Sequence, residues 1–164
     1  MKKAVVLLLV ILFASVAWAD DGTALLKFKT MIAVTGPFVG SVTPQTPIQG
    51  VNGAGLAWMI SEAQGELKSN GDLEVRVRGL VLAAGANAGK NPLANFRAVL
   101  SCQSINSGNP TIVTVSTDNF PATMPEGDAE IRAHIDIPSP CFAPIVFVTT
   151  PGPGAPRWLA VTGQ

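Results

Sequence analysis

The chain has 164 residues, with 11 basic and 11 acidic side chains, one histidine, two cysteines and no tyrosine. That balance, with only 13% charged residues, lacks the basic surplus that nucleic acid or an anionic membrane surface would require. The lack of Tyr, with Trp58 and Trp158 the only tryptophans beyond Trp18, also argues against a sugar-binding surface, which leans on exposed rings with a polar handle.

The first segment, Met1-Lys2-Lys3 followed by an apolar run to Trp18 and "AWA" at 17–19, has the charged start, apolar middle and small-residue end of a secretory signal peptide. Ala4 to Ala19 spans 16 residues, short of the roughly 20 that a spanning helix needs, so cleavage is expected after Ala19. No cysteine ends the run to carry a lipid anchor. Residues 20–164 then form one domain with a formal charge of −2, because Lys2 and Lys3 leave with the signal. A domain of this length buries roughly 68% of its unfolded surface, enough for a core without a metal. No second apolar run approaches spanning length, so the expected location is secreted or periplasmic, with no membrane span after cleavage.

Leu25–Val34 is the first strand candidate, with Lys27 and Lys29 alternating against Leu26 and Phe28. The Gly- and Pro-rich stretch 36–55 cannot be a central strand, since Pro does not donate to a ladder and Gly adds no packing. As a long loop it is a candidate binding segment with Phe38, Val39 and Ile48 as contact residues, or else a flexible connection across the sandwich. Gly55–Ile60 leads into the hairpin "GELKSNGDLEVRVRGL", 65–80. Its apolar positions, Leu67, Leu73, Val75 and Val77, are all odd, so facing pairs sum to an even number and the loop holds an odd number of residues. Ser69-Asn70-Gly71, with Gly71 in the left-handed position, meets that condition. This register opposes Leu67 to Leu73 and sets Glu66 against Glu74, leaving Arg76 and Arg78 on the polar face as candidate binding residues.

A loop at 83–92 follows. Phe96–Gln103 fits a strand, with Phe96, Ala98, Leu100 and Cys102 at period two, or a helix capped by Asn91 with Pro92 at its first position; the strand is favoured by its strand-like surroundings. Thr111–Thr117 is β-branched and follows the turn "NSGNP". Ala129, Ile131, Ala133, Ile135 and Ile137 alternate with polar residues, and "PIVFVTT", 144–150, suits a central strand covered on both faces or a junction of two sheets. "PGPG" turns into a last strand, "RWLAVTG". About eight strands at this spacing predict an all-β, Ig-like or Greek-key type antiparallel sandwich. Cys102 and Cys141, 39 positions apart, are expected to form one disulfide in an oxidising compartment, worth about 4 kcal/mol in the chain-entropy model.

Little in the sequence points to catalysis. His134, the only histidine, would need a nucleophile such as Ser101 or Ser139 and an orienting carboxylate, and no Gly-x-Ser-x-Gly elbow presents a serine. With both cysteines paired, one histidine cannot build a zinc site. Asn70, Asp72 and Glu74, or Glu126, Asp128 and Glu130, lack the ligand order of a calcium loop. Glu130 and Asp136 lie about 20 Å apart along one strand face, too far for paired carboxylate catalysis. "GANAGK" is not followed by the Ser or Thr of a phosphate loop. No cofactor and no metal are therefore expected, and His134 enters as a candidate binding residue.

"AQGELKSNGDLEVRVRGL" and the ending "PCFAPIVFVTT" through "WLAVTG" resemble secreted bacterial β-sandwich proteins of unassigned function, and the hairpin is similar to that of chordin-type domains. A histidine-containing segment follows the second strand in the chordin-type family. Val81–Lys90 has no histidine, so no ligand role is implied. The expectation is an exported, noncatalytic protein with a binding or structural role toward an envelope component or another protein. The alternative is an extracellular hydrolase or metal-dependent module using His134.

Overall fold

A computed structural model describes residues 22–41, 44 and 46–163; the segment 1–19 expected to be a signal peptide lies outside the described residues. In chain order the strands are β1 (Ala24–Phe28), β2 (Met31–Ala33), β3 (Asn52–Gly53), β4 (Trp58–Met59), β5 (Glu62–Lys68), β6 (Asp72–Arg78), β7 (Val81–Leu82), β8 (Asn95–Asn106), β9 (Asn109–Ser116), β10 (Phe120–Pro121), β11 (Ala129–His134), β12 (Phe142–Thr149) and β13 (Arg157–Thr162). Eight of these have five or more residues, the number expected, and the other five are short pieces at edges and ends. Among the described residues the only helical turn is a 3₁₀ turn at Gly36–Phe38, and no helix is long and apolar enough to cross a membrane.

The strands form an antiparallel β-sandwich. One sheet has the order β1-β5-β6-β11, and the larger has β8-β12-β13-β2 with β9 and β10 on the outer edge of β8 and β3 beside β13. The β3–β13 contact is the parallel one. β4 and β7 pair separately, and Trp58 there meets Phe96 of the larger sheet edge-on, ring centres 6.5 Å apart. Inward residues alternate as the pleat requires: Leu67, Val75, Val77 and Ile131 from the smaller sheet and Phe96, Ala98, Leu100, Val146 and Val148 from the larger are all buried.

The hairpin of β5 and β6 forms in the expected register, with Leu67 opposite Leu73, Gly65 opposite Val75 and Glu66 opposite Glu74. Gly71 has φ 96°, and its amide closes the turn on the Lys68 carbonyl at 3.0 Å. Segment 96–103 is strand, in the interior of β8. Asn91 caps no helix. It is buried, donating to the Leu93 and Thr123 carbonyls at 2.7 and 2.9 Å and accepting from the Leu93 amide at 2.9 Å, and so ties two loops together.

One expectation is corrected. Leu25–Val34 is not one strand: the chain bends at Lys29-Thr30, so that β1 lies in one sheet and β2 in the other. The buried positions change phase there, from Phe28 to Met31 and Val34, which a single strand of period two does not allow. The described residues of segment 36–55 lie against the molecule, Val39, Val51 and Ala54 within its core and Phe38 and Ile48 packed on it. By the pairing register, Val99, Ser101, Phe147, Thr149 and Val161 point to the far side of the larger sheet, yet all are buried. Described residues of segment 36–55 reach this side at two points. Phe38 packs on Trp158, which packs on Phe147, with ring centres 5.9 and 6.3 Å apart. Ser101 donates to Gln49 Oε1 at 2.7 Å, and Gln49 donates to the Ala143 carbonyl at 3.1 Å. Val39 is 8% exposed, and Phe38 and Ile48, both half-buried, pack against the core.

Cys102 and Cys141 form the expected disulfide. It staples β8 to the start of β12, where Phe142 faces Gln103 and the register then shifts.

Candidate functional site

The polar face of β1-β5-β6-β11 carries most of the charge in the described chain. Four rows of side chains cross it because the strands are in antiparallel register. Lys68, Asp72 and His134 form the first row, and Lys27, Glu66, Glu74 and Arg132 the second. Gln64, Arg76 and Glu130 form the third, and Glu62 and Arg78 the fourth, with Asp128 just before β11 reaching Arg78. Odd residues of β5 and β6 enter the core, so the even ones are delivered to this face together.

The charges on it are largely paired. Arg76 contacts Glu130 at 3.1 Å and Glu74 at 3.5 Å. Arg132 donates through Nε to Glu130 at 2.7 Å and contacts Glu74 at 3.3 Å. Arg78 reaches Asp128 at 3.4 Å, whose other oxygen accepts from the Gly79 amide at 2.9 Å. Hydrogen bonds from Arg76 and then Arg132 hold the Glu130 carboxyl below the usual carboxylate range, and Glu130 in turn raises Arg132. The Glu66–Glu74 opposition foreseen from the hairpin is relieved on one side by the two arginines that share Glu74. Lys27 of β1 stands opposite Glu66 on the other.

His134 is exposed and its Nδ1 lies 3.0 Å from Asp72 Oδ1. That bond, followed by one from Asn70, lowers the Asp72 carboxyl. The structure therefore supplies a carboxylate beside the histidine. Of the serines named as nucleophiles, Ser101 is fully buried on the far sheet with Gln49 as its partner. Among the described residues no three Asp, Glu, His or Cys side chains converge as a metal ion would need.

Three open depressions dimple this side. One of about 370 Å³ lies among Glu66, Lys68, Asp72, Glu74, Arg132 and His134, and one of about 170 Å³ among Lys27, Lys29, Gln64, Glu66, Glu74 and Arg76. A third, of about 280 Å³, runs from Arg76 and Arg78 to Thr123 and Asp128. The candidates Arg76, Arg78 and His134 thus share one face but answer to carboxylates on it. Phe38, Val39 and Ile48 lie with the other sheet. Residue spacing along β6 and β11 showed each set of charges, but that the two strands are neighbours, and hence the Asp72–His134 and Arg76–Glu130 pairs, had no signal in the sequence.

No family model, no curated protein and no solved structure matches the chain.

Proposed function

We propose that this chain is an exported, noncatalytic β-sandwich protein with a binding or structural role in the cell envelope or extracellular space. The observation that carries the reading is the charge lattice of the smaller sheet, in which Arg76, Arg78, Arg132 and His134 each meet a carboxylate of the same face. Exposed pairs of this kind contribute little to stability, but they neutralise one another and keep the sheet solvated. The disulfide supports the location, because such bonds persist in oxidising compartments.

A hydrolase reading draws on the His134–Asp72 pair, which is two-thirds of a nucleophile-activating arrangement. Two measurements decide between them. N-terminal sequencing of the protein recovered outside the cytoplasm is expected to begin at Asp20, and a chain retained in the cytoplasm with two free thiols overturns the export reading. Screening of ester, peptide and glycoside substrates is expected to give equal background for wild type and His134→Ala. Turnover that disappears in His134→Ala moves the protein to the hydrolases.

A further inference from the structure

The larger sheet ends on one side in β9. Its turn to β8 has two residues, Ser107 and Gly108, both at positive φ, 49° and 80°, the geometry of a type I′ hairpin. Asn106 and Asn109 close that turn, and hydrogen bonding alternates from there. Thr111, Val113 and Val115 direct their backbone groups to β8, while Pro110, Ile112, Thr114 and Ser116 direct theirs outward.

Edges of this kind are normally blunted by charge, brevity or a bulge. Three edges of this sandwich follow that rule. β1 carries Lys27 and a break in register between Ala24 and Leu26, β11 carries Glu130, Arg132 and His134, and β2 has three residues. By contrast, β9 is eight residues long, reads NPTIVTVS without a charge, and among the described residues pairs only with β8. Its open stretch is bounded. Pro110 has no N–H to offer, and beyond Ser116 the chain bulges through 117–119 before β10 resumes against Phe96.

We propose that Ile112–Ser116 pairs antiparallel with the same stretch of a second copy, about a two-fold axis through Thr114, joining the two larger sheets edge to edge. The stretch is self-complementary. Thr114 faces Thr114 of the second copy, a favourable cross-strand pair, and Ile112 faces Ser116. No like charges are opposed, and Pro110 falls outside the paired segment. All three outward-facing residues exchange both backbone bonds, about six in total, in the isologous contact of a closed dimer. Ile112, 43% exposed, loses part of that exposure. A contact this small belongs to the weak class of interfaces, with dissociation constants on the order of 10–1000 μM. The proposal does not depend on export or on the absence of catalysis.

Sedimentation equilibrium of the purified protein, with amide hydrogen exchange at high and low concentration, tests it. The expected result is a monomer–dimer equilibrium in which the Ile112, Thr114 and Ser116 amides slow with rising concentration. Thr114→Lys, which opposes two ammonium groups at the axis, is expected to weaken association by about tenfold or more. Gln103→Lys, on the same face one strand inward, is expected to leave it unchanged. Monomer up to about 1 mM with those amides exchanging freely overturns the proposal. So does a dimer indifferent to Thr114→Lys, or protection of the three amides only when a foreign chain copurifies. Exchange on the wild type decides the matter even where a variant fails to fold.

Discussion

Gly71 holds the hairpin turn at a φ of 96°, and its carbonyl accepts the Ile135 amide at 2.9 Å, linking the turn to the residue just after β11. A methyl group at 71 would meet the Ile135 carbonyl oxygen and the His134 ring. Gly71→Ala is therefore expected to cost roughly 1–3 kcal/mol, seen as a lower urea midpoint at unchanged slope. Next to it, Asp72 and Glu130 are held below their ordinary pKa by His134 and Asn70 and by Arg76 and Arg132 respectively. A carboxyl depressed in the folded state stabilises above its unfolded pKa and loses that contribution as pH falls through the folded value. Asp72→Asn and Glu130→Gln should thus be less stable than wild type at pH 7, with the gap closing below about pH 4. Urea midpoints measured across that range check the sign, and a gap that does not change with pH contradicts it. The Gly71 turn was legible because apolar parity and a left-handed position agree on one loop. Its tie to Ile135 was not, since it joins residues far apart in sequence.

Among the elements, the described residues of 36–55 form a strap whose place no local signal gives. Gly and Pro exclude a central strand, but they do not say where the segment lies. The clue was in another element, the apolar run of β12, which needs cover on both faces; Phe38, through Trp158, and Gln49 supply part of the second. Gln49 is its polar anchor. Gln49→Ala leaves the Ser101 hydroxyl buried without its partner, at a cost of about 1–3 kcal/mol. A double-mutant cycle should find Ser101→Ala and Gln49→Ala together costing less than their sum, and strict additivity would refute the anchor. The split of β1 from β2 was legible in principle, in the shift of apolar phase between Phe28 and Met31, but charge alternation through Lys27 and Lys29 masks it. In β11 nothing competes with the period of two, and the strand forms as read from Ala129 to His134, ending before Ile135 and Ile137.

At the level of the whole molecule, the disulfide joins β8 to the residue just before β12, two strands that are already neighbours, where pairing is irregular. Cys102→Ala with Cys141→Ala, or reduction of the native protein, is expected to lower stability by about 4 kcal/mol, and an unchanged denaturation midpoint under reductant would contradict that. The number of main strands and the alternation of inner and outer faces could be read from the sequence, whereas strand order could not, because periodicity is a property of one strand and adjacency of two. That order also governs timing. β13 lies between β12 and β2, so the larger sheet has no continuous middle until residues 157–162 arrive, although both long hairpins can form well before. Pairings between segments so distant in sequence close slowly. For a chain exported as proposed, the same order acts as a clock: residues 22–156 emerge before the strand that would lock them into a folded shape is present.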